Sequence, residues 1–466
     1  MLQTRVNGEI ADLVPNGSVD LELVNPYLTY ETLFTSSARL PALPLSARNR
    51  RLFGFQDELQ VATGSERMVV QQYYNGHLVQ EGIGVATVDS SGFQLSVVQP
   101  LSEFFGDYQT VPLSEIDFGT IAVPVTLTPV LTVAGQEAVC FPTIQNPDYY
   151  GTNGAGIGYG GRVNPYAAGV YTAGPNVPMV FVRWLLLQIA AKTGTTISGT
   201  ILDHPQLSKL VLYNTRALDG AAEVTIRNHL PAWTIPQLLI ELRKVFNLAY
   251  DFQAVQGRLT TSLTDDIFRA PVVKDWSGKA VKQYKRRAEV NRRLQLNFEL
   301  DSSDALLKDK PGELADYLTP AGDDPTGIAK LSCKLSTLLY DTDTGLASAR
   351  QPGVTSEFNQ LTQGWMPRLL FWNGLEDDLP LALPTLDGLS LYWLGMGGLA
   401  ETFWKKLEAF RTRMFYVERE LLLNETDLAT LNFKEKIHIN GVNYLVVQVM
   451  VSLPVRMPAK CLLVRV

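Results

Sequence analysis

The chain has little of the chemistry that most enzymes use. Only three cysteines, Cys140, Cys333 and Cys461, occur in 466 residues, and they are far apart with no CxxC spacing. That number and spacing exclude a disulfide framework and predict reduced thiols buried as small hydrophobes, as suits folding in a reducing cytoplasm. Of the four histidines, His77, His204, His229 and His438, none forms an HExxH or a paired metal spacing. Neither a metal nor any other cofactor is expected. His77 and His438 flank turn dipeptides, where a solvated or turn-bonded ring is the simplest reading.

Charge is also scarce. Charged residues make up 19% of the chain, below the roughly 25% of an ordinary soluble domain, which predicts that part of the surface is covered by partners. No basic excess exists: 40 Lys and Arg against 47 Asp and Glu give a net charge of −7, so no overall field holds nucleic acid or an anionic membrane. No apolar run approaches the roughly 20 residues of a membrane span. The longest, 180–191, is interrupted by Arg183 and Gln188 and reads as a helix of a soluble fold. The opening MLQTRVNGEIADLV lacks the basic and apolar regions of a signal peptide. Stable membrane insertion and specific nucleic-acid binding are therefore not expected.

What the chain does have is turn chemistry. Asn-Gly occurs at Asn7-Gly8, Asn16-Gly17, Asn75-Gly76, Asn153-Gly154, Asn373-Gly374 and Asn440-Gly441, and this dipeptide favours the two positive φ angles of a type I′ hairpin. The pairs at 75–76 and 440–441 lie between β-branched and aromatic runs, the strongest hairpin pattern. One helix is equally clear: Thr234 and Gln237 have capping-box spacing, and Ile235, Leu238, Leu239, Leu242, Val245 and Phe246 repeat on one face until Asn247. A hairpin over 248–263 follows it, an earlier helix spans 179–192, and a last helix spans 399–411. At this length roughly two to four domains are expected.

The fold class predicted is mainly β with an α+β insertion, in several barrel-like or sandwich domains. The divisions are 1–125, an N-terminal β domain; 126–178, strands and a Gly- and Tyr-rich extended arm; 179–268, an α/β module; 269–398, an irregular β-rich insertion; and 399–466, a helix and returning strands. The composition of 145–178 predicts a segment that does not close a core of its own.

Candidate catalytic groups dissolve on inspection. Gly156, Gly158 and Gly161 satisfy GxGxxG, but no amphipathic helix follows to present its N-terminus to a phosphate. Asp341 and Asp343 could begin a calcium loop, but Leu346 stands where that loop needs glycine. Asp377 with Asp378, and Asp323 with Asp324, could be paired carboxylates of a glycosidase, and ordinary loop acids would look the same. Trp365, Trp372 and Trp393 could stack on sugars or fill a core. No catalytic residue and no small-molecule substrate are predicted.

The distinctive cluster is basic. Lys282, Lys285, Arg286, Arg287, Arg292 and Arg293 fall within twelve residues of an acidic chain. They read either as a solvated face or as a charge-complementary contact with a neighbouring subunit. Tyr149, Tyr150 and Tyr159, with Tyr166 and Tyr171, are the other expected contact residues.

Three segments carry a family resemblance. They are VNGEIADLVPNGSVDLELVNP from Val6, with LPLSARNRRLFGFQDEL and the hairpin around Asn75-Gly76; NHLPAWTIPQLLIELRKVFNLAYDF from Asn228; and DLATLNFKEKIHINGVNYLV from Asp427. Together they resemble the hub or tail-tip proteins of phage tails, especially those of phages of Bacteroidetes-type hosts. The resemblance implies a hub-like set of β-barrel domains assembled as a ring, commonly a trimer, in the virion. Its partners would be copies of itself and other tail proteins, joining the tail tube to a spike or fibres after synthesis in the host cytoplasm. A tail ring protein and a carbohydrate- or receptor-binding module are the alternatives, and a cell-wall hydrolase comes last.

Overall fold

Three Asn-Gly turns organise the largest sheet. In the computed structural model, which describes residues 1–28, 30, 36–61, 67–98, 104–149, 161–218, 220–253, 255–322, 327–352 and 365–466, Asn7-Gly8, Asn75-Gly76 and Asn440-Gly441 all have positive φ at both positions. Each closes a two-residue hairpin, pairing Val6 with Glu9, Tyr74 with His77 and Ile439 with Val442. Asn373-Gly374 does something else. It sits inside the strand Arg368–Glu376 at a register shift, and the turn that follows is made by Asp377 and Asp378, with φ of 47° and 63°. Asn153-Gly154 lies outside the described residues.

Strand outweighs helix by 42% to 18%, which makes the fold mainly β. The largest sheet has thirteen strands. Its main path runs Glu9–Ile10, Leu2–Val6, Arg67–Tyr74, His77–Asp89, Gly92–Val98, Ser37–Arg39, Val19–Val24, Val442–Leu453, Ala459–Arg465, Phe415–Leu421 and Ala280–Ala288, while Lys436–Ile439 and Val272–Asp275 branch from Val442–Leu453. The two ends of the chain meet at its centre, where Val19–Val24 pairs antiparallel with residues 448–453. Alternation fixes which face is buried: Val19, Leu21 and Leu23 point inward while Asp20 and Glu22 point out. The inward residues join Val417, Leu421, Val449, Val451, Leu453, Cys461 and Leu463 in one core. The sequence-based divisions at 125 and 398 therefore fall between segments that share this sheet.

A second, larger core fills the middle of the chain. It is built on a seven-stranded sheet that includes Arg368–Glu376, Leu210–Tyr213, Met179–Phe181 and Gln136–Cys140. The helix expected from residue 179 starts later. Met179–Phe181 is a strand in this sheet, and the helix is Val182–Thr193, closed by Gly194 in the left-handed conformation. The capping box forms as its spacing predicts: the Gln237 amide donates to the Thr234 hydroxyl, the Thr234 amide donates to Gln237 Oε1, and the helix Ile235–Phe246 ends on Asn247 at φ 50°. The hairpin Leu248–Gln253 with Arg258–Leu263 follows. The last helix opens with a wide turn over Ala400–Trp404 before Lys405–Arg411, and it buries Phe403, Trp404 and Leu407.

The two bodies are joined by the segment after Val24. Asn25 Nδ2 donates to Val446 O at 2.7 Å in the large sheet, and Arg243 Nη2 of the capped helix donates to Pro26 O at 2.7 Å. The Arg243 guanidinium, 1% exposed, lies 5.3 Å from the Tyr30 ring and 5.9 Å from that of Tyr250. Buried cation-aromatic contacts of this kind are worth about 2 kcal/mol.

Candidate interaction surface

The fold divides the basic cluster. Lys282, Lys285, Arg286 and Arg287 lie on Ala280–Ala288, the last strand of the large sheet, which pairs with Phe415–Leu421 on one side only among the described residues. Arg292 and Arg293 belong elsewhere. Arg293 opens the strand Arg293–Phe298 of a separate three-stranded sheet. Its Nε donates to Thr319 O at 2.9 Å, and Arg292 Nε donates to Glu289 O at 3.2 Å. A contiguous cluster in sequence becomes four cations on an edge and two tied to local carbonyls.

On the edge, aromatic rings lay the arginines along the sheet. The Arg286 guanidinium is 3.9 Å from the centre of the Phe415 ring, Arg287 is 5.4 Å from Tyr416, and Arg419 is 5.6 Å from Tyr284. Exposed contacts of this type contribute about 0.5–1 kcal/mol each. Lys285 Nζ reaches Glu418 at 3.8 Å with both side chains exposed, a pair worth at most about 1 kcal/mol. Beside the strand runs an open groove of about 510 Å³, bounded by Lys285, Arg287, Glu418, Glu420, Gln448 and Met450 among others.

The tyrosines behave differently from the expectation. Tyr149 is 4% exposed and belongs to the central core. Burial pushes its hydroxyl pKa up, and its own chain closes over it, so it is not free to meet a partner. Tyr150 and Tyr159 lie outside the described residues. Tyr166 and Tyr171 stack edge to face at 4.8 Å, and the Tyr171 hydroxyl donates to Phe141 O at 2.6 Å. The described part of 145–178 is thus packed against the chain's own core: Val163, Asn164 and Val177 are fully buried. Asn164 accounts for much of this, because its side chain donates to Pro142 O and Val177 O and accepts from the Val177 amide. A Gly- and Tyr-rich segment can pack this way by borrowing apolar surface from neighbouring strands.

The remaining sequence candidates have structural occupations. Trp365, Trp372 and Trp393 are 7%, 6% and 0% exposed, which removes the sugar-stacking platform that motivated a carbohydrate-binding alternative. Asp377 and Asp378 are the turn residues described above. Asp341 accepts from the Asp343 amide and the Thr344 hydroxyl across a hairpin turn, bonds that hold its carboxyl below the usual range. Gly161 has φ 74°, and a Cβ there would come within 2.6 Å of Pro147. Gly156, Gly158, Asp323 and Asp324 lie outside the described residues. His438 accepts from the Gly441 amide at 3.0 Å and bonds Asn443 at 2.9 Å, pinning its hairpin. His229 is buried beside Asn214, and burial pushes it down to about 3. All three thiols are buried, and burial raises them, Cys461 to about 12. Among the described residues, no group of three or more His, Cys, Asp or Glu side chains is placed to hold a metal.

One polar constellation escaped the sequence analysis. Arg368, 0% exposed, donates through Nη1 to Asp304 at 2.6 Å and through Nη2 to Asp301 at 3.2 Å. Gln351, Asn146 and Tyr213 complete the network, with the Tyr213 hydroxyl donating to Gln351 Oε1 at 2.8 Å. Burial alone would raise the Asp301 carboxyl, but the bonds from Ser303 and Arg368 outweigh it and hold it low. The network is buried and ties together five stretches of chain. An arginine in the apolar run MPRLLFW was the one available signal.

No family model matches the chain, and no curated protein matches it. Among solved structures the chain is similar to the 43 kDa tail protein of prophage MuSo2 from Shewanella oneidensis, at 9% identity and a TM-score of 0.42, covering 100% of this chain and 96% of that one. It is also similar to the tail protein from Neisseria meningitidis MC58, at 11% identity and a TM-score of 0.39, covering 100% and 95%. No helix among the described residues is long and apolar enough to cross a membrane.

Proposed function

We propose that this chain is a non-enzymatic structural subunit of a phage tail tip or baseplate hub, repeated around an axis, with three copies as the expected number, and joining the tail tube to distal spike or fibre proteins. The observation that carries the reading is the large sheet: both chain ends close into one broad half-barrel, and its terminal strand is basic and, among the described residues, paired on one side only. The three sequence segments with hub resemblance support the assignment of that architecture to a tail. The candidate catalytic side chains that are described are engaged in turns and cores, which supports a structural role.

The test is to locate the chain in native particles by gold-labelled antibody in electron microscopy. Label at the distal end of the tail, at a low copy number, is the expected result. Its absence from particles would overturn the reading, and a position along the tube or between tube and hub would replace it with the ring-protein alternative. Release of sugar or peptide fragments from peptidoglycan by the purified chain would overturn the non-enzymatic part.

A further inference from the structure

We infer that the strand Ala280–Ala288 is a docking edge that accepts an extended acidic segment of a different protein as an added strand of the large sheet. The inference rests on the geometry of this edge and holds whatever assembly the chain belongs to.

The two ends of the sheet path are treated differently. One ends in the two-residue strand Glu9–Ile10, while the other ends in nine residues with no proline and with the last seven positions exposed. The pairing with Phe415–Leu421 shifts register between Ala280 and Tyr284, where Arg419 Nε donates to Val281 O, and is regular over the last five residues from Tyr284; those five span roughly 17 Å, and among the described residues no strand pairs with their outer edge. Proteins normally shorten, cover, interrupt or charge such an edge. Here the shift before Tyr284 interrupts only its first part, and the lysines and arginines repel a like-charged strand while leaving an acidic one free to add.

Charge selects the occupant. The strand carries Lys282, Lys285, Arg286 and Arg287 and no acid, so the same strand of a second copy would set cation against cation, an unfavourable cross-strand pairing. An acidic strand reverses that sign at every contact. Nucleic acid is the other polyanion to weigh, and it would lie over the groove, where Glu418 and Glu420 repel phosphate. An added strand avoids those carboxylates. It lies about 4.8 Å from the basic strand and roughly twice that from Phe415–Leu421, so its nearest charges are the four cations.

The experiment uses the full chain and a fluorescein-labelled ten-residue peptide alternating Glu and Thr, followed by fluorescence polarisation at low salt and by amide hydrogen exchange. Binding is expected, with new protection confined to 280–288. Lys285→Glu with Arg287→Glu should weaken it about tenfold or more, since both charges lie in the first rank of contacts. A peptide N-methylated at alternate residues should not protect the strand, because it cannot complete the ladder. Unchanged exchange elsewhere in the double variant verifies its fold. The inference is overturned by no binding, by protection elsewhere, or by equal affinity for a Lys-Thr peptide. It is also overturned if raising the protein concentration alone protects 280–288, which would make the occupant a second copy, or if a twelve-nucleotide single strand binds more tightly than the acidic peptide. None of these outcomes bears on where the chain sits in a particle, so this inference and the tail-tip reading fail separately.

Discussion

Arg368→Met should destabilise the central body by about 3–5 kcal/mol, the usual cost of removing one partner from a buried ion pair. The structure assigns most of that cost to one carboxylate. Asp301 would keep the Ser303 amide and hydroxyl on Oδ1 and Gln351 at 3.4 Å on Oδ2. Asp304, whose side chain is 0% exposed, would keep the amides of Arg350 and Leu306 on Oδ1 but lose the 2.6 Å bond to Oδ2. The predicted order of cost is therefore Arg368→Met, then Asp304→Asn, then Asp301→Asn, the last near 1 kcal/mol because that bond is longer and its group is already satisfied.

Combining Arg368→Met with Asp304→Asn removes the orphaned charge, so the double variant should cost about 2 kcal/mol less than the sum of the two singles. Arg368→Lys should not restore stability fully, since a single ammonium lacks the fork that holds two carboxylates. Urea unfolding followed by tryptophan fluorescence gives the free energies, and hydrogen exchange over 300–307 and 346–352 shows whether the loss is local. If the chain unfolds in more than one step, the effect belongs to the transition that those segments report. Arg368→Met within about 1 kcal/mol of the natural chain, or additive single and double changes, would refute the reasoning.

His229, held neutral by burial and pushed down to about 3, should make the fold acid-sensitive. Between its unfolded value of about 6.5 and 3 the unfolded chain binds the extra proton, so stability falls as pH drops, by about 2 kcal/mol at pH 5; urea midpoints across pH should show a flatter profile for His229→Gln. Thr234→Ala removes the hydroxyl that receives the Gln237 amide and should cost about 0.5–2 kcal/mol in the same assay. Asp377→Asn with Asp378→Gly puts the preferred type I′ pair at two positive-φ positions and should stabilise by about 0.5–1 kcal/mol. A measurable loss of stability would mean that the carboxylates do more than turn the chain.

Local chemistry was the legible part of this sequence. The hairpins at 75–76 and 440–441, the capping box at Thr234 and the stop at Asn247 each depend on a few adjacent residues whose conformational preferences need no tertiary context. Asn373-Gly374 failed as a turn signal because the residue pair permits positive φ without requiring a reversal, and a bulge satisfied it instead. Composition left open what the described part of 145–178 packs against: a segment poor in large apolar residues closes no core of its own, and the surface it uses belongs to the central core, where Asn164 bonds three backbone groups and Val163 and Val177 dock. The Arg368 network is assembled from residues 146, 213, 301, 304, 351 and 368, and no window of sequence contains that juxtaposition.

The same distinction explains the basic cluster and the domain divisions. A run of charges looks like one surface only if one element carries it, and here the chain turns at Glu289–Asn291, where the Gly327 amide bonds Val290 O and the Asn291 amide bonds Glu289. Arg292 and Arg293 leave the edge at that turn, and Arg293 opens a strand of another sheet. In the opposite direction, Val19–Val24 and Val442–Leu453 look like members of separate domains until their ladder is drawn. Pairing partners more than 400 residues apart closes a very long loop, but the entropy of closure grows only with the logarithm of its length. The seam itself is six paired positions with three buried side chains on the Val19–Val24 strand. The central body then acts as a clip: Arg243 on Pro26 O and Asn25 on Val446 O fix the segment after Val24 from both sides. The sheet that presents the basic edge is thus held to the central body at the same segment that follows its seam.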